Sequence, residues 1–198
     1  MEIVVATTNN HKLQELRKIM PKSFKFTGIR DLGFSDEIPE TGDTFEANAL
    51  QKARFVQHHT KHPCLADDSG LEVKALGGKP GIYSARYAGP DANSNDNIKK
   101  LLNAMNGFTN RSARFKTVLA LILDKKEYVF EGTVSGRITD SPSGYEGFGY
   151  DPVFIPDGYT KTFSEMTLEE KNLISHRAEA ANLLRKFLEN SGSDFSQF

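Results

Sequence analysis

Two adjacent carboxylates, Asp67 and Asp68, lie in the stretch CLADDSGLEV, which otherwise has the composition of a buried strand. An ionised carboxylate that leaves water costs several kcal/mol unless a cation or hydrogen-bond donors meet it. Successive strand residues point to opposite faces, so we expect the two side chains to differ in role, one anchoring structure and one contacting a metal ion. Asp-Ser-Gly is also a common turn sequence, and an Asx turn is the alternative interpretation.

The chemistry of this pair favours a hard metal ion. Carboxylate oxygens without neighbouring Cys or His ligands suit Mg²⁺, with Mn²⁺ as a substitute, and Mg²⁺ usually accompanies a polyphosphate. A competing metal site would use His58, His62 and Cys64. We discount it because Pro63 breaks the segment, no acid completes an HExxH spacing, and scattered surface histidines are more common.

A phosphate site is indicated near the N-terminus. Thr7, Thr8, Asn9 and Asn10 follow a short strand, and Lys12 lies in the first turn of the next helix. Amides, hydroxyls and an ammonium at the positive end of a helix suit a phosphate. Thr and Asn are also ordinary N-cap residues, which is the simpler explanation. The chain contains no GxxxxGK[ST] or GxGxxG pattern, so the sequence offers no P-loop or Rossmann phosphate site.

The second predicted helix carries a polar stripe. Asn48 and Lys52 are four residues apart, on a face away from Phe45 and Val56, and Glu40 precedes them in a loop. Alone, such a pair would be a solvated face. Beside the Asp pair, the lysine has a second use, because it can hold carboxylates and phosphates together.

Candidate groups for a flat ligand lie in the second half of the chain. Phe148 stands between Gly147 and Gly149, small neighbours that would let a flat ligand lie against its ring, although a buried loop aromatic would look the same. His176 and Arg177 could donate to a carbonyl oxygen, or they could be solvated polar residues of the last helix.

Alternating strand and helix patterns must position these groups. Strands are predicted at Ile3 to Ala6, at Phe24 to Ile29, around the Asp pair, and in FKTVLALILD and EYVFEGTVSGRI. The last two runs are separated by Lys125 and Lys126, which predicts an antiparallel hairpin. Helices are predicted after Asn10, from Phe45 to about His59 with an Asp43–Glu46 capping box, from Asn97 to Met105, and from a Thr167–Glu170 capping box to Glu189 with a bend near Ser175. These elements predict an α/β class in a single domain, residues 1–198, with a frayed tail at 190–198.

Composition narrows the function further. The 198 residues are 38% hydrophobic, enough for one sizeable core, and 25 Lys and Arg against 26 Asp and Glu leave a net charge of -1. This balance argues against nucleic acid as a partner. A single cysteine excludes an internal disulfide, and the opening MEIVVATT resembles no secretory leader, so we expect a cytoplasmic protein without a membrane span.

Five ordered segments resemble the inosine triphosphate pyrophosphatase family, also called Ham1-like: ATTNNHK, ETGDTFEANALQKA, LADDSGLEVKALGGKPGIYSARYAG, GFGYDPVF and KNLISHRAEA. The resemblance covers the chain from the first strand to about Leu188. It implies an elongated mixed sheet flanked by helices, with an active-site cleft between two lobes, and a homodimer. It also implies Mg²⁺-dependent hydrolysis of ITP, dITP and XTP to the monophosphate and pyrophosphate.

The resemblance also implies roles for individual residues. Glu40 and Asp68 would hold the metal, with Asp67 a further candidate, and Asp68 and Lys52 would be catalytic, Asp68 as proton acceptor for the attacking water. The implied substrate-binding residues are Thr7, Thr8, Asn9, Asn10, His11, Lys12, Ser69, Phe148, Gly149, Tyr150, Asp151, Lys171, His176 and Arg177.

The chain departs from the family pattern at one position, and two other functions compete. The family usually reads Ala-Thr-Gly-Asn, and Thr8 replaces that glycine, which puts the turn geometry in question. A Maf-like pyrophosphatase acting on other nucleotides is one rival, against which SHR and GFGYDP argue. A nucleotide sensor without turnover is the other, against which the combined presence of Glu40, Lys52, Asp67 and Asp68 argues.

Overall fold

The structure, a computed structural model, describes residues 1–34 and 38–191. Of the tail that the sequence predicts to fray, residues 192–198 lie outside the described residues, and the last helix includes the two residues before them. Within the described part of the chain, no helix is both long enough and apolar enough to cross a membrane.

Regular elements follow the predicted alternation. The strands are β1 (Glu2–Ala6), β2 (Lys25–Gly28), β3 (Cys64–Val73), β4 (Ser112–Leu123), β5 (Lys126–Ile138) and β6 (Phe154–Pro156). The helices are α1 (Asn10–Ile19), α2 (Phe45–Thr60), α3 (Ser94–Ala104), α4 (Leu168–Ile174) and α5 (His176–Ser191).

The six strands form one mixed sheet in the order β2-β1-β3-β4-β5-β6. β1 pairs in parallel with β2 and β3, whereas β5 and β6 are antiparallel. This sheet with its helices confirms the predicted α/β class. Ala6, the last residue of β1, pairs with Ala66 of β3. The register therefore brings the N-terminal turn beside the Asp pair that follows Ala66.

Several boundaries differ from the sequence prediction for local reasons. The cap of α2 is Thr44, whose hydroxyl accepts from the Ala47 amide, so the predicted Asp43–Glu46 capping box is wrong. α3 begins at Ser94 because Asn93 caps it, three residues earlier than predicted. The predicted bend near Ser175 is a break between two helices, since Ser175 is extended with φ -75° and ψ 155°.

The predicted start of α4 and the two predicted hairpin strands are present in the structure, and one strand was not predicted. The Thr167–Glu170 capping box is present at the start of α4. β4 and β5 are the two predicted strands, but their connection is Asp124 and Lys125, both with positive φ, and not the predicted Lys125 and Lys126, because Lys126 already belongs to β5. Neighbouring strands joined by two residues are antiparallel, as a hairpin requires. The sequence analysis missed β6, which at three residues is too short for a period-two pattern.

The chain divides into two compact units. Unit 1 comprises Met1–Asp68, Thr117–Gly132 and Arg177–Phe198, and unit 2 comprises Ser69–Lys116 and Thr133–His176. Each has its own apolar core. That of unit 1 includes Ile3, Leu16, Leu65, Leu119 and Leu184, all at most 3% exposed.

The core of unit 2 is richer in aromatic rings. It contains Leu71, Leu101, Phe115, Phe154 and Phe163, among others. The phenylalanine rings contact one another, with centroid distances of 4.7 Å between Phe115 and Phe154 and 5.4 Å between Phe154 and Phe163. Aromatic contacts of this kind add to the stabilisation from apolar burial.

Candidate active site

The N-terminal turn is organised by its own side chains. Asn9 is the N-cap of α1, and its side-chain oxygen accepts from the amides of His11 and Lys12 at 2.9 and 3.3 Å. The Thr7 hydroxyl accepts from the Asn9 amide at 3.1 Å. The capping interpretation therefore describes Asn9, and Thr7 supports the same turn. Their contact with phosphate stays a prediction.

Thr8 fits this turn without glycine. Among the described residues, the non-glycine positions with positive φ are Lys61, Asp124 and Lys125, so the Thr8 backbone is in a region open to any L-residue. The side chains of Thr8, Asn10 and His11 are exposed. The replacement of the family's glycine therefore adds a side chain to the turn without forcing a strained backbone.

Asp67 lies in a buried ion network within unit 1. It accepts from Lys12 Nζ and from Arg177 Nε, each at 2.7 Å, and Arg177 also pairs with Glu15. Glu15, Asp67 and Arg177 are 3%, 5% and 1% exposed. Burial alone would raise the pKa of Asp67, but the charges of Arg177 and Lys12 outweigh it and hold that pKa well below its usual range. Asp67 is therefore an anchoring anion.

Asp68 belongs to a separate cluster around Lys52. Lys52 Nζ donates to Asp68 at 2.8 Å and to Glu40 at 2.7 Å, while the side-chain amide of Asn48 donates to the second Asp68 oxygen at 3.4 Å. The two carboxylates of β3 thus have different partners, as strand alternation predicts. Asn48 and Lys52 are 0% and 5% exposed, so their stripe on α2 is not a solvated face.

Burial and shared charge set the protonation of this second cluster. Burial raises the pKa of Asp68, and the negative charge of Glu40 adds to that rise, while Lys52 offsets part of it. For Lys52, burial acts downward, but the two carboxylates outweigh it and raise its pKa. Two carboxylates that share one ammonium retain an excess negative charge, which favours a further cation or a proton.

The acidic donors of this cluster match what Mg²⁺ uses in proteins. Among residues 1–34 and 38–191, no group of three or more His, Cys, Asp or Glu side chains is arranged to hold a metal ion. Glu40 and Asp68 nevertheless converge on one atom, Lys52 Nζ. Mg²⁺ commonly takes one or two carboxylates and completes its shell with phosphate oxygens and water. A two-carboxylate set fits that pattern and does not fit a cage made of protein alone.

A buried ion pair in unit 2 is bordered by aromatic rings. Lys171 Nζ donates to Asp151 at 2.6 Å, and both side chains are 3% exposed. The same Asp151 oxygen accepts from the Phe148 amide at 2.9 Å. Lys171 Nζ lies 4.8 Å from the centroid of the Phe148 ring and 5.5 Å from that of Phe163. The ion pair therefore fixes the backbone of Phe148 and holds a cation at its ring.

The glycine before Phe148 has a steric role, whereas a Cβ at Gly149 would meet no atom within 4 Å. Gly147 has a positive φ of 78°, and a Cβ there would collide with the Asp151 carboxylate. Tyr150, predicted to bind substrate, donates its hydroxyl to the Ser84 carbonyl at 2.9 Å and is 3% exposed, and its burial raises its pKa. Its hydroxyl therefore ties the loop to the turn at Gly81–Arg86.

The remaining predicted residues separate between the two units. Ser69 is half-buried on β3 and belongs to unit 2. His176 packs in unit 2 with its ring stacked on Phe115 at a centroid distance of 4.8 Å. Arg177, the next residue, belongs to unit 1, where its guanidinium forms the network with Asp67 and Glu15. The two consecutive residues therefore pack in different units, His176 among aromatic rings and Arg177 among carboxylates.

Sequence reasoning missed Glu15, Phe115 and Phe163. Glu15 lies between the buried residues Leu13 and Leu16 of α1, and a carboxylate on the apolar face of a helix was the available signal. Phe115 is indistinguishable in sequence from any other core residue of β4. Its contact with His176 is visible in the folded chain alone.

Comparison with known proteins identifies the family. The sequence profile of the Ham1 family matches residues 3–187. The chain is 49% identical over 188 residues to a dITP/XTP pyrophosphatase of Porphyromonas gingivalis, covering 94% of this chain and 97% of that protein. It is 45% identical over 190 residues to the dITP/XTP pyrophosphatase of Flavobacterium psychrophilum, covering 96% and 100%. The Ham1 protein of Staphylococcus aureus has the same fold, with a TM-score of 0.87, 44% identity and coverage of 96% and 100%. This chain belongs to the Ham1 family.

Proposed function

We propose that this chain is a Mg²⁺-dependent nucleoside triphosphate pyrophosphohydrolase that converts ITP, dITP and XTP to the monophosphate and pyrophosphate. Relatives named dITP/XTP pyrophosphatases align over nearly the whole chain at 45% and 49% identity, which supports this class of substrate. One structural observation carries the chemistry: Lys52 holds Asp68 and Glu40 together, both within 2.8 Å of its ammonium.

Unit 1 would bind the triphosphate. Lys12 and Lys52 supply positive charge, and the exposed side chains of Thr8, Asn10 and His11 supply donors at the start of α1. The lysines are held by buried carboxylates, so their positions are set before substrate arrives. Fixed charge of this kind stabilises a transition state without reorganisation.

Glu40 and Asp68 would hold the metal. When bound there, Mg²⁺ would neutralise charge that develops on the pyrophosphate leaving group. Asp68 would accept a proton from the water that attacks the α-phosphorus. A base is most effective when its pKa lies near the working pH, and burial moves the pKa of Asp68 in that direction.

Unit 2 would bind the purine. Phe148 offers a ring for stacking, held by the hydrogen bond that its backbone N–H donates to the Asp151 carboxylate, and His176 would donate to the keto oxygen at position 6. The amino group of adenine would instead present a donor to a donor. Such a mismatch leaves buried polar groups unpaired and costs about 1–3 kcal/mol. Arg177 would act in unit 1, where it anchors Asp67, the carboxylate that holds Lys12.

The assembly and location of the enzyme stay predictions from the sequence. We expect a homodimer in the cytoplasm, acting on free nucleotides to remove non-standard purines from the nucleotide pool. Size-exclusion chromatography with light scattering measures the oligomeric state.

The first experiment measures pyrophosphate and orthophosphate release from ITP, dITP, XTP, GTP and ATP, with Mg²⁺ and with EDTA. Pyrophosphate released from ITP, dITP and XTP with Mg²⁺, and little from ATP or GTP, is the expected result. Orthophosphate release would contradict cleavage at the α-phosphorus. Equal rates with all bases would contradict the proposed specificity, and tight ITP binding without turnover would favour a sensor.

A further inference from the structure

The imidazole of His176 lies flat on the ring of Phe115. The two ring centroids are 4.8 Å apart and the ring planes differ by 10°. Both residues are buried, His176 at 4% and Phe115 at 6% exposure, and both belong to unit 2. His176 is the first residue of α5, directly after the helix break at Ser175, whereas Phe115 lies on β4.

Phe115 is itself held on further sides. The Phe154 ring packs against it edge-on, with centroids 4.7 Å apart and planes at 66°. Phe163 stacks at 6.1 Å with planes at 29°. Phe163 in turn lies 5.5 Å from Lys171 Nζ, which also contacts Phe148. The His176 stack is therefore continuous with the aromatic groups at the candidate base site.

A face-to-face stack constrains the direction of the imidazole nitrogens. Rotation about the second side-chain torsion of histidine is broad, with no sharply staggered wells, so the side chain alone does not fix the ring plane. Both ring nitrogens hydrogen-bond within that plane. A neighbouring ring packed on one face restricts rotation and thereby sets where an N–H group points.

We propose that Phe115 is a positioning residue for purine discrimination, which holds the His176 ring in the plane that favours a 6-keto over a 6-amino purine. This inference rests on the proposed function and on the role of His176 in it. Phe115 acts through His176 and does not itself bind the base. Loss of its ring lets the imidazole turn, which weakens its hydrogen bond to a keto group and relaxes its rejection of an amino group.

The test is the ratio of kcat/KM for ITP to kcat/KM for ATP. A ratio does not depend on the fraction of enzyme that is folded, so a purely structural defect leaves it unchanged. Phe115→Leu removes the ring, and Phe115→Met does so with a flexible side chain if the first variant fails to fold. Phe154→Leu is the matched control, because it removes a fully buried ring from the same cluster and leaves in place the Phe115 ring that stacks on His176.

We expect Phe115→Leu and Phe115→Met to lower the ITP to ATP ratio about tenfold, the range that loss of one aromatic pair permits. Phe115→Tyr keeps the ring and should keep the ratio, as should Phe154→Leu. An unchanged ratio in the Leu and Met variants would overturn the inference and leave the proposed function intact. A wild-type enzyme without a preference for ITP would overturn the proposed function, and this inference with it.

A second measurement reads the stack directly. The Cε1–H proton signal of His176, assigned by its loss in His176→Gln, should lie upfield in the wild type because of the Phe115 ring current. It should move downfield in Phe115→Leu and stay in Phe154→Leu. A signal that does not respond to loss of the Phe115 ring would contradict the stack, whatever the kinetics show.

Discussion

In unit 1, four carboxylates face three basic side chains, whereas in unit 2 the corresponding cluster has one carboxylate and one ammonium bordered by phenylalanine rings. The unit 1 groups, among the residues that the structure describes, are Glu15, Glu40, Asp67, Asp68, Lys12, Lys52 and Arg177. The unit 2 groups are Asp151 and Lys171 with Phe148 and Phe163.

The difference in charge indicates what each cluster can bind. The Lys52 cluster of unit 1, with Glu40 and Asp68, has an excess of negative charge that favours a further cation or a proton, and the proposed Mg²⁺-bound polyphosphate would supply that cation. The unit 2 cluster is neutral and presents apolar faces, which suit an uncharged flat ligand. Each cluster therefore predicts a different response to mutation: turnover and stability in unit 1, affinity and specificity in unit 2.

Removing the charge of Asp68 should have the largest effect. We expect Asp68→Asn to lower kcat for pyrophosphate release about a thousandfold, since it would remove the proposed proton acceptor and one proposed metal ligand together. The fold should remain, because Lys52 keeps its bond to Glu40. Asp43→Asn, which changes an exposed carboxylate of unit 1, is the control. Near-normal turnover of Asp68→Asn would remove Asp68 from the mechanism.

The adjacent Asp67 should respond mainly in stability. Asp67→Asn leaves the buried Arg177 short of one carboxylate, and we expect the free energy of unfolding to fall by about 3 kcal/mol at pH 7. Denaturation by urea measures this value. A loss as small as that of Asp43→Asn would show that Glu15 alone satisfies Arg177.

The same variant gives a pH test with a defined sign. The charges of Arg177 and Lys12 hold the folded pKa of Asp67 well below its usual range, against the effect of burial. Its stabilisation is therefore present above the unfolded pKa and is lost as the pH falls towards the folded one. The stability gap between wild type and Asp67→Asn should narrow below about pH 4. A gap that is constant from pH 7 to pH 3 would contradict the ionic role.

Removing the Phe148 ring tests whether the unit 2 cluster contributes to nucleotide affinity. We expect Phe148→Ala to raise KM for ITP about tenfold with little change in kcat, because base stacking on an aromatic ring contributes affinity. Phe108→Ala, at a 45% exposed ring of unit 2, should leave KM unchanged. An unchanged KM in Phe148→Ala would return that ring to a packing role.

The sequence predicts those features of the site that depend only on residues a few positions apart. The capping box at Thr167 and the opposite orientation of Asp67 and Asp68 follow from spacing within a few residues. The sequence does not decide between Asp43 and Thr44 as the N-cap of α2, because both are good cap residues; in the structure the cap is Thr44.

Long-range partners were not predictable from one sequence. Glu15 and Arg177 are separated by 162 positions, and nothing in either local pattern indicates that they pair. Phe115 likewise alternates with Arg114 and Lys116 in β4, as an ordinary core residue of a strand would, and its contact with His176 depends on where α5 begins. The sequence therefore predicts candidate charged residues of the site, whereas tertiary packing determines which of them form buried ion pairs with one another.

Cys64 offers the smallest expected effect and a reporter for unit 1 alone. It is the single cysteine of the chain, begins β3 three residues before Asp67, and is fully buried, and burial raises the pKa of its thiol to about 12. Because the thiolate is the reactive form, native protein should show almost no labelling by a disulfide reagent between pH 7 and 9. Any labelling must then follow opening of unit 1. Asp67→Asn should accelerate it, whereas Phe148→Ala should leave its rate unchanged. Equal acceleration by both variants would mean that the two clusters open together and are not independent in stability.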